Sequence, residues 1–323
     1  MIDVMFYEAF EEEEKEIKKR LPGDIRARFT PGTISELGQK KSPAELISIR
    51  TQSHIPLEWA KHVKGILTRS QGYDHLLTFR REAGADIAYG YLGNYCARAV
   101  AEQAILMMMA LLRKLKKQTQ QFNLFARDGL TGKECQGRRV LVIGVGNIGS
   151  EIVDIAKGLK MSVCGVDIAP VIKEIDYVSL SEGLAWAEVV FCALPLTEQT
   201  EGMLDYSSFQ KTKPGLVFVN IARGEISPVE DLKKLLDEGT LAGIGLDVYP
   251  EEGTLADSLR ARQSAQTSQV RTILELARDD RVIFTPHNAF NTAEALEQKA
   301  SRTVAAIVSY LENKAFPFPV PVA

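Results

Sequence analysis

Short apolar runs recur along the chain, each bounded by polar or turn-forming residues. In the amino-terminal part they are "IDVMFYEAF", "IRARF", "LISIR", "GILTRS" and "DIAYG". Helical or turn segments separate them, and strands alternating with helices predict a parallel α/β sheet. The first run is expected to pass into a helix, "EEEEKEIKKR", with its acids first and its bases last. That order suits the helix dipole, and the charge run reads as a solvated face. A second series follows: "RRVLVIG", "MSVCGVDI", "EVVFCALP", "GLVFVNIA", "LAGIGLDVY" and "RVIFTP". These runs are nearly continuous, as expected for strands buried on both faces. Between the two series, "ARAVAEQAILMMMALLRKLKKQ" (97–118) is apolar over most of its surface. It predicts one long buried helix bridging two domains, with Met107, Met108 and Met109 in the core. The last helix, "TAEALEQKASRTVAAIVSYLEN", precedes a proline-rich end, "FPFPVPVA". No internal repeat of solenoid length is present, and the two halves read as two separate α/β sheets.

Composition narrows the classes of partner. A chain of 323 residues exceeds a usual single domain, so two are expected. A net charge of −3 gives no reason to expect nucleic acid or an anionic membrane as partner. The acidic amino terminus does not read as a signal peptide, and the longest apolar run, "AILMMMALL", is too short to span a bilayer. Cys96, Cys135, Cys164 and Cys192 form no CxxC pair and have no His-rich company. That argues against a structural zinc site, no metal is expected, and the pattern suits a reducing cytoplasm.

The segment "RRVLVIGVGNIGSEIVDIAKGL" places Gly144, Gly146 and Gly149 in GxGxxG spacing, after a strand and at the opening of a helix. The first glycine permits a tight turn, the second lets the backbone approach a pyrophosphate, and the third lets helix and strand pack closely. The helix amino terminus adds N–H groups and a favourable dipole for phosphate. The next strand, "MSVCGVDI", ends at Asp167, at the distance expected of the acid that binds the adenosine ribose. Its charge would repel a 2′-phosphate, so NAD is favoured over NADP. A methyltransferase binding S-adenosylmethionine is the competing reading, and the later segments weigh against it.

Three later strands end on polar residues: Arg223 after "LVFVNIA", Asp247, Glu251 and Glu252 in "GIGLDVYPEE", and His287 in "VIFTPHNAF". Ligands of open α/β sheets sit at the carboxyl ends of strands, so an arginine, a carboxylate and a histidine could converge there.

In order, "TRSQGYDHL", "AVAEQAI", "GVGNIGSEI", "ALPLTEQTEGML", "VNIARGEI", "LDVYPEE" and "TPHNAF" resemble the run of short motifs of the D-isomer-specific 2-hydroxyacid dehydrogenase family, over nearly the whole chain. The resemblance is strongest to its D-lactate dehydrogenase branch. It implies a Rossmann-type NAD domain (97–290) inserted into a flavodoxin-like substrate domain (1–96 and 291–323), each a doubly wound parallel sheet. It implies catalytic Arg223, Glu252 and His287, with His287 as the acid–base group. Histidine suits proton transfer because its ordinary pKa, about 6.5, lies near working pH. It further implies that Ser70, Gln71 and Tyr95 meet the substrate. The cofactor would be held by Gly144, Gly146, Asn147, Ile148, Gly149, Asp167, Pro195, Ala222 and Asp247. Two departures stand out: Gly253 follows Glu252 where the family has proline, with Glu251 adjacent, and the span 253–280 is long and reads as polar helix. The expected activity is reversible hydride transfer between NADH and a small, lactate-like 2-oxo acid, by a cytoplasmic homodimer. The alternatives are a phosphoglycerate- or hydroxypyruvate-type reductase and a non-catalytic NAD-sensing protein. Formate dehydrogenase shares the fold but has glutamine where Glu252 stands.

Overall fold

The computed structural model describes residues 2–170, 172–260, 262 and 267–321. The chain divides into two compact units, one of residues 1–96 with 291–323, the other of residues 97–290.

The first unit is built on β1 (Val4–Phe6), β2 (Ala27–Phe29), β3 (Leu46–Ile49), β4 (Gly65–Thr68) and β5 (Ala88–Gly90), in the order β2-β1-β3-β4-β5. Every pairing is parallel. This is the flavodoxin-like winding, with its switch point between β1 and β3. The central strands β1, β3 and β4 are buried along their whole length, which is why they lack polar alternation. The proline-rich end returns to the sheet: Val320 N–H donates to Tyr89 O and Tyr91 N–H to Phe318 O. It thereby covers the edge strand β5.

The second unit contains β6 (Arg139–Ile143), β7 (Ser162–Val166), β8 (Asp176–Tyr177), β9 (Val189–Cys192), β10 (Leu216–Asn220), β11 (Leu241–Leu246) and β12 (Val282–Phe284). Their order is β12-β11-β10-β9-β6-β7-β8, again all parallel. Counted within the unit this is the Rossmann winding with one added strand, and the order reverses between β6 and β9. The short β8 follows no long apolar run and was not legible in the hydrophobic pattern.

Four expectations need correction. The segment 97–118 is not one helix: Ala97–Leu112 ends, Lys114 takes a left-handed φ of 53°, and Leu115–Gln121 begins anew. The cause is tertiary, because the returning chain crosses the helix end and Lys133 N–H donates to Leu112 O. Met107 and Met108 are core, whereas Met109 is 39% exposed. The acidic run is not wholly solvated, since Glu13 in the helix Glu11–Lys18 is fully buried. The span 253–280 forms two helices, Glu252–Arg260 and Ser268–Leu276, the second burying Val270, Ile273 and Leu276. Residues 261 and 263–266 of that span lie outside the described residues.

Candidate active site

In the second unit the first turn after β6 has the geometry a dinucleotide needs. Gly144 has a φ of +88°, which side chains rarely adopt. A Cβ on Gly149 would lie 1.9 Å from Gly144 O, so only glycine lets the helix Asn147–Gly158 close on the strand. A Cβ on Gly146 would meet nothing within 4 Å. The space beside Gly146, at the helix amino terminus with Asn147 and Ile148, is open to a phosphate. Asp167 lies just past β7, and its carboxylate accepts N–H from Val145 (2.6 Å) and from Ala169 (2.8 Å). The acid is therefore fixed against the glycine loop, and the set of groups fits NAD. Pro195, on the exposed turn after β9, accepts Thr200 Oγ1–H at its carbonyl (2.7 Å).

The turn after β10 is shaped by Asn220, a fully buried residue of "VNIARGEI" to which the sequence pattern assigns no role. Its Oδ1 accepts Ala222 N–H, and its Nδ2 donates to Arg223 O and Ser227 Oγ, all at 2.9 Å. These bonds satisfy the backbone of a tight Ala222–Arg223 turn. A Cβ on Gly224 would stand 1.9 Å from Tyr249 C and 2.1 Å from Pro250 N. Glycine at 224 thus lets the Arg223 turn lie directly on the segment leading to Glu252.

Past β11, Glu251 takes a left-handed φ of 51°, and the next helix starts at Glu252. The kink sends the two carboxylates apart. Glu251 accepts from Thr267 Oγ1 (2.8 Å), whereas both oxygens of Glu252 lie against His287 Nδ1, at 2.8 and 2.9 Å. The choice between neighbours that sequence left open is thus made by one backbone angle. His287 is also left-handed, with φ 49°. A histidine held in this sparsely populated region needs its surroundings to impose it. Asp247 does so: it is 1% exposed and accepts Asn288 N–H (2.8 Å), Ala289 N–H (2.9 Å) and Thr285 Oγ1–H (2.5 Å). Burial pushes its pKa up, opposed by the neighbouring His287 and these hydrogen bonds. Asp247, assigned to the cofactor from sequence, therefore also anchors the histidine turn.

In the first unit, Ser70 and Gln71 lie just past β4, half-buried. Neither of their N–H groups donates to an acceptor among the described residues. Consecutive unpaired N–H groups form an anion-binding concavity. The loop is held from behind by Arg69, fully buried, which donates to Glu13 Oε1 (3.0 Å), Ser48 Oγ (3.1 Å) and Tyr7 O (2.6 Å). Lys299 Nζ, also fully buried, pairs with Glu13 at 2.6 Å. Burial alone would raise the Glu13 pKa, but the Arg69 and Lys299 charges outweigh it and hold the acid down to about 2. No sequence motif announced this triad, although Arg69 immediately precedes Ser70. Tyr95 and Cys96 are buried beside it, and burial pushes Tyr95 well up and Cys96 to about 11. Cys96 is packing material in its protonated form. Among the described residues no group of side chains could hold a metal ion, and no helix is long and apolar enough to cross a membrane.

Residues 105–289 match the family described as D-isomer specific 2-hydroxyacid dehydrogenase, NAD binding domain. The chain is 34% identical over 263 residues to a D-lactate dehydrogenase of Lactiplantibacillus plantarum, covering 79% of this chain and 75% of that protein. It is 32% identical over 256 residues to a D-lactate dehydrogenase of Escherichia coli, covering 76% of each. A crystal structure of D-lactate dehydrogenase from Aquifex aeolicus, complexed with NAD and lactic acid, superposes with a TM-score of 0.83 at 28% identity, over 96% of both chains. With these likenesses added to the glycine turn, Asp167 and the winding of both sheets, the chain belongs to the D-isomer-specific 2-hydroxyacid dehydrogenases and is an NAD-dependent oxidoreductase of their D-lactate dehydrogenase branch.

Proposed function

We propose that the protein interconverts a small 2-oxo acid and its D-2-hydroxy acid, with His287 as proton carrier. The reading rests on one observation above all: His287 Nδ1 faces both carboxylate oxygens of Glu252. A carboxylate there fixes the ring's tautomer and orientation, leaving Nε2 to serve the substrate oxygen. Bound NADH would supply the hydride from its nicotinamide ring. As negative charge develops on the substrate's carbonyl oxygen, His287 Nε2–H gives up its proton to it, and the 2-hydroxy acid forms. Arg223 offers a planar fork to the substrate's carboxylate and carbonyl. In this reading the N–H groups of Ser70 and Gln71 bind a carboxylate, and Tyr95 lies beside that loop. Gly144, Gly146, Asn147, Ile148, Gly149, Asp167, Pro195 and Ala222 hold the cofactor, with Asp247 bracing the histidine turn. Residues 97–290 act as the NAD domain, and residues 1–96 with 291–323 as the substrate domain.

A homodimer is part of this reading. Leu106, Met109, Leu115, Phe122, Leu124 and Phe125 are all substantially exposed within one twenty-residue stretch, an apolar patch that a second copy would cover. The four free thiols fit a reducing cytoplasm. The test is NADH oxidation at 340 nm with a panel of 2-oxo acids, for the parent and His287→Ala. Turnover in the parent and a loss of roughly 10²–10⁴-fold in the variant are expected. A parent that binds NADH but oxidises it with no 2-oxo acid would overturn the proposal.

A further inference from the structure

The Ser70–Gln71 loop presents N–H groups because the carbonyl oxygens flanking Gln71 are engaged elsewhere. Ser70 O accepts Leu92 N–H at 3.1 Å, and Gly72 O accepts Ser70 Oγ–H at 2.7 Å. The Gln71 side chain is turned to Cys96, whose Sγ lies 3.9 Å from Oε1. A carbonyl swung the other way would meet a bound anion with like charge, so the concavity depends on these oxygens staying where they are.

Behind Ser70 runs a chain of side-chain hydrogen bonds. Ser70 Oγ lies 2.7 Å from Thr68 Oγ1, and Thr68 Oγ1 lies 3.0 Å from His75 Nε2. Its direction follows from counting protons. A hydroxyl has one proton to give and lone pairs with which to accept. The Gly72 carbonyl can only accept, so the Ser70 proton goes there. Ser70 Oγ must then accept from Thr68, and Thr68 Oγ1 must accept from His75. A ring with a bare Nε2 would claim the Thr68 proton, leaving Thr68 and Ser70 to oppose lone pairs at 2.7 Å. His75 Nε2 therefore carries a proton, and the chain runs from His75 through Thr68 and Ser70 to the Gly72 carbonyl.

The chain spans the loop from both sides. Thr68 is the last residue of β4 and is fully buried, whereas His75 stands half-buried in the first turn of the helix Asp74–Ala83. Hydrogen bonds in series polarise one another when water is excluded, so a cut at either end is felt along the whole chain.

We infer that His75 is a positioning residue for substrate binding. Through Thr68 it holds Ser70 and the Gly72 carbonyl in the arrangement that leaves the loop's N–H groups to a carboxylate. It acts on affinity for the 2-oxo acid, and the proton transfer stays with His287. The inference rests on the reading of the Ser70–Gln71 loop as a carboxylate site.

The experiment measures kcat and KM for the 2-oxo acid reduced best by the parent with NADH. It also measures the inhibition constant of oxamate, a pyruvate analogue that keeps the carboxylate and is not reduced. The variants are His75→Leu, His75→Gln, Thr68→Val, Thr68→Ser and the double variant His75→Leu/Thr68→Val, with thermal unfolding and NADH affinity reporting the integrity of each. His75→Leu and Thr68→Val should each raise KM and the oxamate constant by roughly 3- to 10-fold, as for one lost hydrogen bond, with kcat within about twofold of the parent. Valine has the shape of threonine, so Thr68→Val decides the matter even where His75→Leu fails to fold. His75→Gln, whose amide keeps a neutral donor near the place of Nε2, and Thr68→Ser should restore both constants to within about twofold of the parent. The two apolar changes cut one chain, so the double variant should bind no worse than the weaker single variant, whereas independent defects would multiply. Constants unmoved in Thr68→Val, losses that multiply, or a fall in kcat at unchanged KM overturn the inference and leave the dehydrogenase reading intact. A His75→Gln variant as impaired as His75→Leu overturns it too, because the donated hydrogen bond would then not be what acts. A parent that reduces no 2-oxo acid overturns both.

Discussion

Gly224→Ala should damage catalysis without touching any chemical group of the site. The added methyl would sit 1.9 Å from Tyr249 C, 2.1 Å from Pro250 N and 2.5 Å from Tyr249 Cα, against 3.4–4 Å for ordinary contact. The obstructing atoms are backbone and cannot swing aside. The Arg223 turn and the segment leading to Glu252 must therefore separate by about 1.5 Å, the difference between 1.9 Å and contact at 3.4 Å. A misplacement of about 1 Å in a catalytic constellation costs on the order of 10²-fold in rate. Forcing an extra carbon into a packed region costs roughly 1–3 kcal/mol of stability. The expected result is a fall of about 100-fold in kcat/KM for 2-oxo acid reduction, by the effect on geometry just given. NADH affinity should fall much less than kcat/KM, because the glycine turn at Gly144 lies past a different strand and only Ala222 of the proposed cofactor residues sits on the displaced turn. Steady-state kinetics, fluorescence titration with NADH and a thermal melt measure the three quantities. Gly158→Ala is the matched control, since a Cβ there meets nothing within 4 Å and its φ is not positive. If Gly224→Ala keeps parental kcat/KM and melting temperature, the close approach does not hold the two segments in register and the argument fails.

Other substitutions probe single links. Glu252→Gln removes the carboxylate facing His287 Nδ1 and should lower kcat by at least about tenfold, whereas Glu251→Gln should stay near parental; the reverse order in steady-state kinetics would show that the neighbouring carboxylate serves the histidine. Asp167→Ser removes the charge expected to repel a 2′-phosphate and should narrow the preference for NADH over NADPH, and a parent using both cofactors with equal kcat/KM would refute the role. Glu13 has a folded pKa of about 2, below its ordinary value of 4.5. Its contribution to stability is therefore complete above pH 4.5 and is lost as pH falls towards 2. Denaturant unfolding at a series of pH values should show a loss of roughly 3 kcal/mol over that window. Glu13→Gln should be destabilised at pH 7 and flatter below pH 4.5, and an unchanged acid slope would show that another group carries it.

The sequence by itself determined the class of fold. Strands buried on both faces must be written as continuous apolar runs, and helices between them make the sheet parallel, so the runs in each half announced two parallel sheets. It also determined the cofactor loop, because a glycine that must turn and another that must touch backbone leave residue-specific marks at fixed spacing. Features whose cause lies far away in the chain were not legible. The long helix ends at Leu112 because residues near Lys133 cross its end, and the local pattern "LLRKLKKQ" holds no stop signal. Glu13 reads as one more solvated acid in "EEEEKEIKKR", since its two counter-charges, Arg69 and Lys299, stand 56 and 286 positions away. Tertiary structure alone also decided which glutamate meets His287. Glu251 and Glu252 are identical in composition and adjacent in sequence, and they diverge because a left-handed residue followed by a helix start turns one carboxylate to Thr267 and the other to the histidine ring. Local pattern records what a residue does for its own segment. Pairing between segments depends on directions that exist only once the sheets are wound.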